Sequence, residues 1–315
     1  MNGTATRVLL TGAAGFVGRH LAEALRAAGC TVIGAGRSAP RANSCDEFIC
    51  CDLLAPAARS RLIERAGADT LAHLAWCTEH GRYRDDPANE RWQAASVALV
   101  EQYLAAGGRH VVATGSCAEY IWDERECDEA DPDCSLARPY ERAKHGTRAA
   151  LAMHCARAGA TFAWARLFFL YGAGEDERRL VPAVMDALAW RRAPFALQAE
   201  AQRDYLHVAD VASGLAALAC SRAAGTFNVC SGAPVALREI VRVAACLIDA
   251  DPAPLLVQPL PAQPRRIAGR NARLRALGWA PRVNLACGLA ACARTRGLPD
   301  SQFRGPGGRP EMNLP

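Results

Sequence analysis

Arg7-Val8-Leu9-Leu10-Thr11-Gly12-Ala13-Ala14-Gly15-Phe16-Val17-Gly18 reads as a buried strand, a glycine turn and the start of a helix that continues to about Ala28. The unbroken apolar run suits a strand covered on both faces, and apolar residues recur at helical spacing after the turn. Glycines at 12, 15 and 18 allow a tight turn and a close approach of backbone to ligand. The helix N-terminus that follows offers unpaired N–H groups to a pyrophosphate. Strand, glycine turn and helix in that order are the context in which such glycines mark a dinucleotide site. Gly12, Gly15, Phe16, Val17 and Gly18 are therefore the first candidate cofactor contacts.

Outward from this turn the same rhythm repeats. A second strand, Thr31–Ala35, ends in Gly36-Arg37-Ser38. An NAD-preferring site places a carboxylate there to hold the ribose 2′-hydroxyl. Glycine followed by Arg37 removes that acid and offers a guanidinium to a 2′-phosphate, so NADP(H) is the expected cofactor, with NAD(H) as the alternative. A third strand near Glu47–Cys51 ends in Asp52-Leu53. Asp52 can accept from an adenine amino group or cap the next helix. A fourth strand at Thr70–Leu74, a long helix at Pro87–Ala106 and a fifth strand at His110–Thr114 complete the pattern. Strands and helices alternating at these lengths predict an α/β fold with a Rossmann-type doubly wound parallel sheet.

Helices near Leu180–Arg191, Val208–Cys220, Leu237–Ile248 and Leu285–Arg296, with short strands between, predict a smaller α/β C-terminal lobe. The expected division is a dinucleotide-binding domain over 1–170, joined by a strand near 204–230, a substrate-binding lobe over 171–300 and a flexible tail over 301–315. Gly172 to about Arg179 reads as a mobile loop over the substrate. Pro252–Pro264 reads as extended.

Composition narrows the function. Apolar content of 51% and charged content of 22% are globular, and a formal net charge of +5 with scattered arginines is no nucleic-acid footprint. The chain shows no membrane-length apolar run and no leader ahead of the first strand, so a cytoplasmic protein is expected. Fourteen cysteines are spread without a Cys-x-x-Cys pair, and no His-Glu-x-x-His occurs, so free thiols and no metal site are expected.

Within Pro139-Tyr140-Glu141-Arg142-Ala143-Lys144 lies the only lysine of a chain with 37 basic side chains; the remaining 36 are arginine. Four residues apart on a helix, the ammonium and the phenol share a face. A unit charge about 4 Å from a phenol at an effective dielectric near 20 is worth about 4 kcal/mol, roughly three pKa units. That would bring Tyr140 into range for proton transfer near neutrality. A compact ammonium can also reach a cofactor ribose, where a planar guanidinium fits poorly. Beyond the fifth strand comes Thr114-Gly115-Ser116-Cys117-Ala118-Glu119-Tyr120. Open α/β sheets place their sites past the carboxyl ends of strands, so Ser116 is the expected third catalytic group, holding a substrate oxygen against Tyr140.

Together these residues resemble the extended short-chain dehydrogenase/reductases, specifically the NAD(P)-dependent nucleotide-sugar epimerase/dehydratase family, over roughly residues 7–296. The likeness continues in His73-Leu74-Ala75-Trp76, similar to a His-x-Ala-Ala segment that passes under the cofactor, and in Arg166-Leu167-Phe168-Phe169-Leu170-Tyr171-Gly172. It extends to Gln202-Arg203-Asp204-Tyr205-Leu206-His207-Val208-Ala209-Asp210-Val211, to Phe227-Asn228-Val229 and to Leu277-Gly278-Trp279-Ala280-Pro281. The resemblance implies Ser116, Tyr140 and Lys144 as catalytic residues. It implies cofactor contacts from Arg37, Asp52, Leu53, Leu74 and Ala75 besides the glycine turn. Trp76, Glu79, His80, Phe169 and Arg203 join Ser116 as implied substrate contacts, Arg203 gripping a diphosphate. A homodimer through the helices at Pro87–Ala106 and Tyr140–Ala158 is also implied.

Three departures shape the expected activity. Cys117 and Ala118 stand where the family's 4,6-dehydratases carry an Asp-Glu pair, so β-elimination lacks its acid and base. Cys117 comes one residue early for the cysteine of the 3,5-epimerases. Phe169 replaces an asparagine that contacts the diphosphate in many members. The leading expectation is NADPH-dependent reduction of a nucleotide-linked 4-keto-6-deoxyhexose, with a 4-epimerase retaining its NAD as the alternative. Reduction of a non-sugar ketone and a non-catalytic NADP-binding sensor are the further readings.

Overall fold

The computed structural model describes residues 5–40, 44–131, 134–257, 260 and 265–298. The expected tail over 301–315 and part of the proline-rich stretch lie outside these residues. Strands β1 (Arg7–Thr11), β2 (Thr31–Gly36) and β3 (Glu47–Cys50) alternate with helices α1 (Phe16–Ala27) and α2 (Pro56–Ala66). Then follow β4 (Thr70–His73), α3 (Ala88–Ala105), β5 (His110–Ser116), α4 (Pro139–Arg157) and β6 (Thr161–Leu167). Later elements are β7 (Phe169–Tyr171), α5 (Leu180–Leu188), β8 (Gln202–Arg203), β9 (Tyr205–His207), α6 (Val208–Ser221) and β10 (Gly225–Val229). The chain closes with β11 (Val235–Ala236), α7 (Leu237–Ile248), α8 (Ala253–Leu256), β12 (Arg266–Ile267), α9 (Ala272–Arg275) and α10 (Leu285–Thr295).

Seven strands form one sheet in the order β10-β6-β5-β4-β1-β2-β3, and every pairing in it is parallel. This is the doubly wound α/β sheet expected from the alternating pattern. The order reverses at β1, so the carboxyl ends of β1 and β4 flank the crevice where such sheets bind ligands. Two hydrophobic layers cover the sheet. Leu21, Ala22 and Leu25 of α1 pack with Val211, Leu215 and Leu218 of α6 on one face. Leu62, Leu99, Tyr103 and Leu151, from α2, α3 and α4, cover the other.

Residues beyond 170 contribute to both parts of the molecule. β10 pairs with β6 as the outermost strand of the large sheet, and α6 lies against α1. Phe169–Tyr171 pairs in parallel with Tyr205–His207, and β8 joins β11 and β12 in a small sheet. Val184, Met185 and Leu188 of α5 meet Ile240, Val241 and Ala244 of α7 and Leu289 of α10 in a separate core. Trp279 binds the closing segment to α6, its Nε1 donating to Ser213 Oγ at 2.9 Å and to the Asp210 carbonyl at 3.2 Å. One expectation fails locally: within Pro252–Pro264, which reads as extended, residues 253–256 form the short helix α8. Pro252 is its N-cap and Pro254 sits inside its first turn, where a missing N–H costs nothing.

Candidate active site

The glycine turn is held by contact distance as much as by conformation. Gly12 adopts φ +74°, and a Cβ there would lie 3.0 Å from the Ala75 backbone nitrogen. A Cβ on Gly18 would sit 2.0 Å from the Gly12 carbonyl oxygen, so α1 can approach the turn only with glycine at 18. Gly12 donates to the Ala35 carbonyl at 3.0 Å and Gly15 to the Gly12 carbonyl at 2.9 Å. Gly15 caps α1 without a side-chain acceptor, which leaves the first-turn N–H groups available. Behind the turn, Thr11 Oγ1 lies 2.8 Å from His73 Nδ1 and accepts from the Leu74 and Ala75 amides. His73 Nε2 lies 2.9 Å from Ser96 Oγ. Burial, helped by the Lys144 charge, pushes the His73 pKa down to about 3, so this buried histidine is a neutral brace between β1, β4 and α3.

Ser116, Tyr140 and Lys144 meet at the end of β5. Helix α4 starts on Pro139, and Glu141 in its first turn accepts from the Arg138 amide at 3.2 Å and from Ser135 Oγ at 2.7 Å. Arg84 ion-pairs with the same carboxylate, while the Tyr140 amide donates to the Arg84 carbonyl at 3.1 Å. This knot fixes the helix start and with it the phenol. Ser116 is set by Glu119, whose Oε1 accepts the Ser116 amide at 2.7 Å. The Glu119 carboxylate also takes Trp164 Nε1 at 2.9 Å and pairs with Arg166 Nε at 3.3 Å, all three side chains being buried. The Ser116 hydroxyl accepts the Ala118 amide at 3.2 Å and, as a polar neighbour of Tyr140, favours the phenolate.

Lys144 lies on the same face of α4 as Tyr140, its Nζ 5.8 Å from the phenol ring centroid. The ammonium is held elsewhere: Nζ donates to the Thr114 carbonyl at 2.9 Å and stands 3.7 Å from the centroid of the Trp76 ring. The expected tuning of the phenol by Lys144 is therefore corrected by the geometry. Burial, then the neighbouring Tyr83, pushes the Tyr140 pKa above its ordinary value, and the lowering influence comes from Ser116. Burial likewise pulls the Lys144 pKa down to about 7, against the raising effect of Glu119.

These groups open into one cavity of about 420 Å³ that runs from Gly12, Gly15, Phe16, Val17 and Gly18 past Leu74, Ala75, Trp76 and Lys144 to Phe169 and Tyr205. The glycine turn, the uncapped helix end and the buried ammonium in one cavity fit a dinucleotide cofactor. On the adenosine side, Arg37 is exposed after β2, and exposed Asp52 accepts the Leu54 amide at 3.0 Å as a turn former. The Leu53 side chain is buried in the core under α2. The substrate end is bounded by Thr78, Tyr83, Arg84, Trp122, Glu175, Asp176 and Arg179. Glu79 and His80 are not among the lining residues; Glu79 pairs with Arg82 at 3.7 Å. Arg203 lies beside Phe169, 5.9 Å from its ring centroid, and donates to the Gln202 carbonyl at 2.8 Å. It too is absent from the cavity wall, and burial lowers its pKa.

The segment expected as a mobile loop borders the cavity but is tied to α1. Arg19 Nη2 donates to the Ala173 carbonyl at 2.7 Å, and His20 Nε2 lies 3.2 Å from the same oxygen. Sequence reasoning did not single out Glu119, Glu141, Arg84, Tyr83 or Glu175. Two of them left a signal: Glu141 is an acid at the third position of a helix opened by proline, and Glu119 follows Ser116 by three residues as in a capping box. Among the described residues, all fourteen cysteines are free, no cluster of three His, Cys, Asp or Glu is placed to hold a metal, and no helix is long and apolar enough to cross a membrane.

Comparison with known proteins agrees with this geometry. The chain is 30% identical to the UDP-glucose 4-epimerase of Mycolicibacterium smegmatis over 302 residues, covering 90% of this chain and 96% of that protein. It is 24% identical to the dTDP-6-deoxy-L-talose 4-dehydrogenase (NAD(+)) of Aggregatibacter actinomycetemcomitans, covering 74% of this chain and 87% of that one. Among solved structures, MoeE5 in complex with UDP-glucose and NAD superposes with a TM-score of 0.78 at 25% identity, over 92% of this chain and 98% of its own. The UDP-glucose 4-epimerase of Brucella ovis in complex with NAD superposes with a TM-score of 0.83 at 23% identity, over 94% and 100%. The NAD dependent epimerase/dehydratase family description matches residues 8–230. The chain belongs to this family and is an enzyme of the extended short-chain dehydrogenase/reductase type.

Proposed function

We propose that the protein is an NAD(P)-dependent oxidoreductase acting at C4 of a nucleotide-activated hexose, and that 4-epimerisation is its reaction. The observation that carries the reading is that Ser116 and Tyr140 line one cavity with the glycine turn and Lys144. A nicotinamide cofactor, when bound, supplies the hydride acceptor and donor. Ser116 orients the C4 oxygen, and Tyr140, once deprotonated in the productive complex, takes its proton on oxidation and returns it on reduction. Lys144, anchored on the Thr114 carbonyl in the same cavity, would reach the cofactor ribose. Similarity to a UDP-glucose 4-epimerase over nine-tenths of the chain supports epimerisation. Cys117 and Ala118, where an acid and base would be required, argue against dehydration.

A second reading is NADPH-dependent reduction of a 4-keto-6-deoxyhexose. It is favoured by exposed Arg37 after β2, where no carboxylate stands to reject a 2′-phosphate. Pairing of α3 and α4 with those of a second copy, and a cytoplasmic setting, belong to the same proposal.

The deciding experiment separates the two by cofactor economy. Purified protein is incubated with UDP-glucose or UDP-galactose, and separately with NADPH and a dTDP-4-keto-6-deoxyhexose. Interconversion without net absorbance change at 340 nm supports epimerisation, whereas stoichiometric NADPH loss supports reduction. Tyr140→Phe should lower either turnover by at least about a thousandfold while cofactor affinity is kept. Turnover retained in that variant would remove the mechanism.

A further inference from the structure

Glu175 is a titratable group of the cavity that the redox pair does not use. It lines the same cavity as Ser116 and Tyr140. Its Oε2 is buried and has no hydrogen-bond partner among the described residues. An unsatisfied buried polar atom costs about 1–3 kcal/mol, and native chains keep few of them. This one is also held in place. Ala173 is bonded to Arg19 at 2.7 Å, and Gly172 and Gly174 take φ of +148° and +77° to turn the chain tightly ahead of Glu175. The carboxyl is therefore presented by a fastened turn.

Its surroundings set its protonation. Arg179 at the start of α5 and the Gly172 amide favour the charged form, and neighbouring Asp176 opposes it. Tyr205 of β9 and Cys292 of α10 face it as well, their own pKa values raised by burial first and then by Glu175. Burial outweighs the rest and lifts the Glu175 pKa to about 8. At neutral pH the group is a neutral acid with one donor and a free acceptor. A sugar hydroxyl also donates and accepts, and a neutral acid does not repel the diphosphate of a nucleotide sugar.

We propose that Glu175 is a specificity-determining residue of the sugar pocket, its carboxyl exchanging hydrogen bonds with a hydroxyl of the bound hexose. The proposal rests on the nucleotide-sugar reading above. Binding tests it without turnover: UDP-glucose and UDP are titrated calorimetrically into Tyr140→Phe protein, and into the same protein carrying Glu175→Ala or Glu175→Gln. Glu175→Ala should weaken UDP-glucose about tenfold and leave UDP unchanged, and Glu175→Gln should stay within about threefold of the parent. Raising the pH from 7 to 9 should weaken UDP-glucose in the parent and not in Glu175→Gln. Equal UDP-glucose affinity in all three proteins, or equal loss of UDP and UDP-glucose, overturns the proposal. If Glu175→Ala does not fold, the pH comparison decides, and an identical pH response in Glu175→Gln refutes it. Failure of the Tyr140→Phe parent to bind either ligand overturns the nucleotide-sugar reading and this inference with it.

Discussion

Replacing Lys144 by methionine should stabilise the fold while destroying the activity. The ammonium is buried, and lowering its pKa from 10.5 to about 7 costs about 5 kcal/mol of folding free energy at acidic to neutral pH. Methionine has similar volume and no charge to bury, so Lys144→Met should gain up to about 5 kcal/mol near pH 6, or roughly 7 °C in Tm. The gain depends on pH with a defined sign. Below pH 7 both the folded and unfolded wild-type chains carry the proton, and the full cost is present. Between pH 7 and 10.5 the unfolded chain binds a proton that the folded chain lacks, so wild-type stability rises with pH. The difference between variant and wild type should therefore shrink from pH 6 to pH 9. Thermal and urea unfolding of both proteins at these two pH values measures it. A variant less stable than wild type at pH 6, or a difference independent of pH, would refute the reasoning about the buried ammonium.

Gly18→Ala puts a methyl group where 2.0 Å separates it from the Gly12 carbonyl, so cofactor affinity measured by fluorescence titration should fall at least about tenfold. Glu119→Ala leaves Arg166 buried without its carboxylate and frees the Ser116 amide; it should lose about 3–5 kcal/mol in urea unfolding and reduce turnover. Arg37→Ala should weaken NADPH relative to NADH by about tenfold in binding titrations if the guanidinium reads a 2′-phosphate, and an unchanged ratio would favour NAD as the working cofactor.

The architecture was legible because it is written in local pattern. The apolar run of β1, the glycine turn and the helical spacing of Leu21, Ala22 and Leu25 each act within a few residues, and their repetition leaves a parallel sheet as the way to bury them. Tyr140 and Lys144 were legible for the same reason, since spacing of four on a helix sets a shared face. What Lys144 touches was not. Trp76 is 68 positions earlier in the chain, in the segment after β4, and only the packing of α4 against β5 beside that segment brings its ring over the ammonium. The placement of Arg203 beside Phe169, and the absence of Glu79 and His80 from the cavity wall, depend likewise on how distant loops settle.

By itself, the sequence determined a doubly wound sheet with a glycine-lined dinucleotide turn, and it put a serine, a tyrosine and a lone lysine near the strand ends. Tertiary structure alone decided the electrostatics of that site: a phenol pushed up by burial, an ammonium pulled down under a tryptophan, and a carboxyl at Glu175 kept neutral in the substrate cavity. The physical reason is that ionisation answers to desolvation and to charges a few ångströms away. Which groups come that close is settled by packing between segments far apart in the chain.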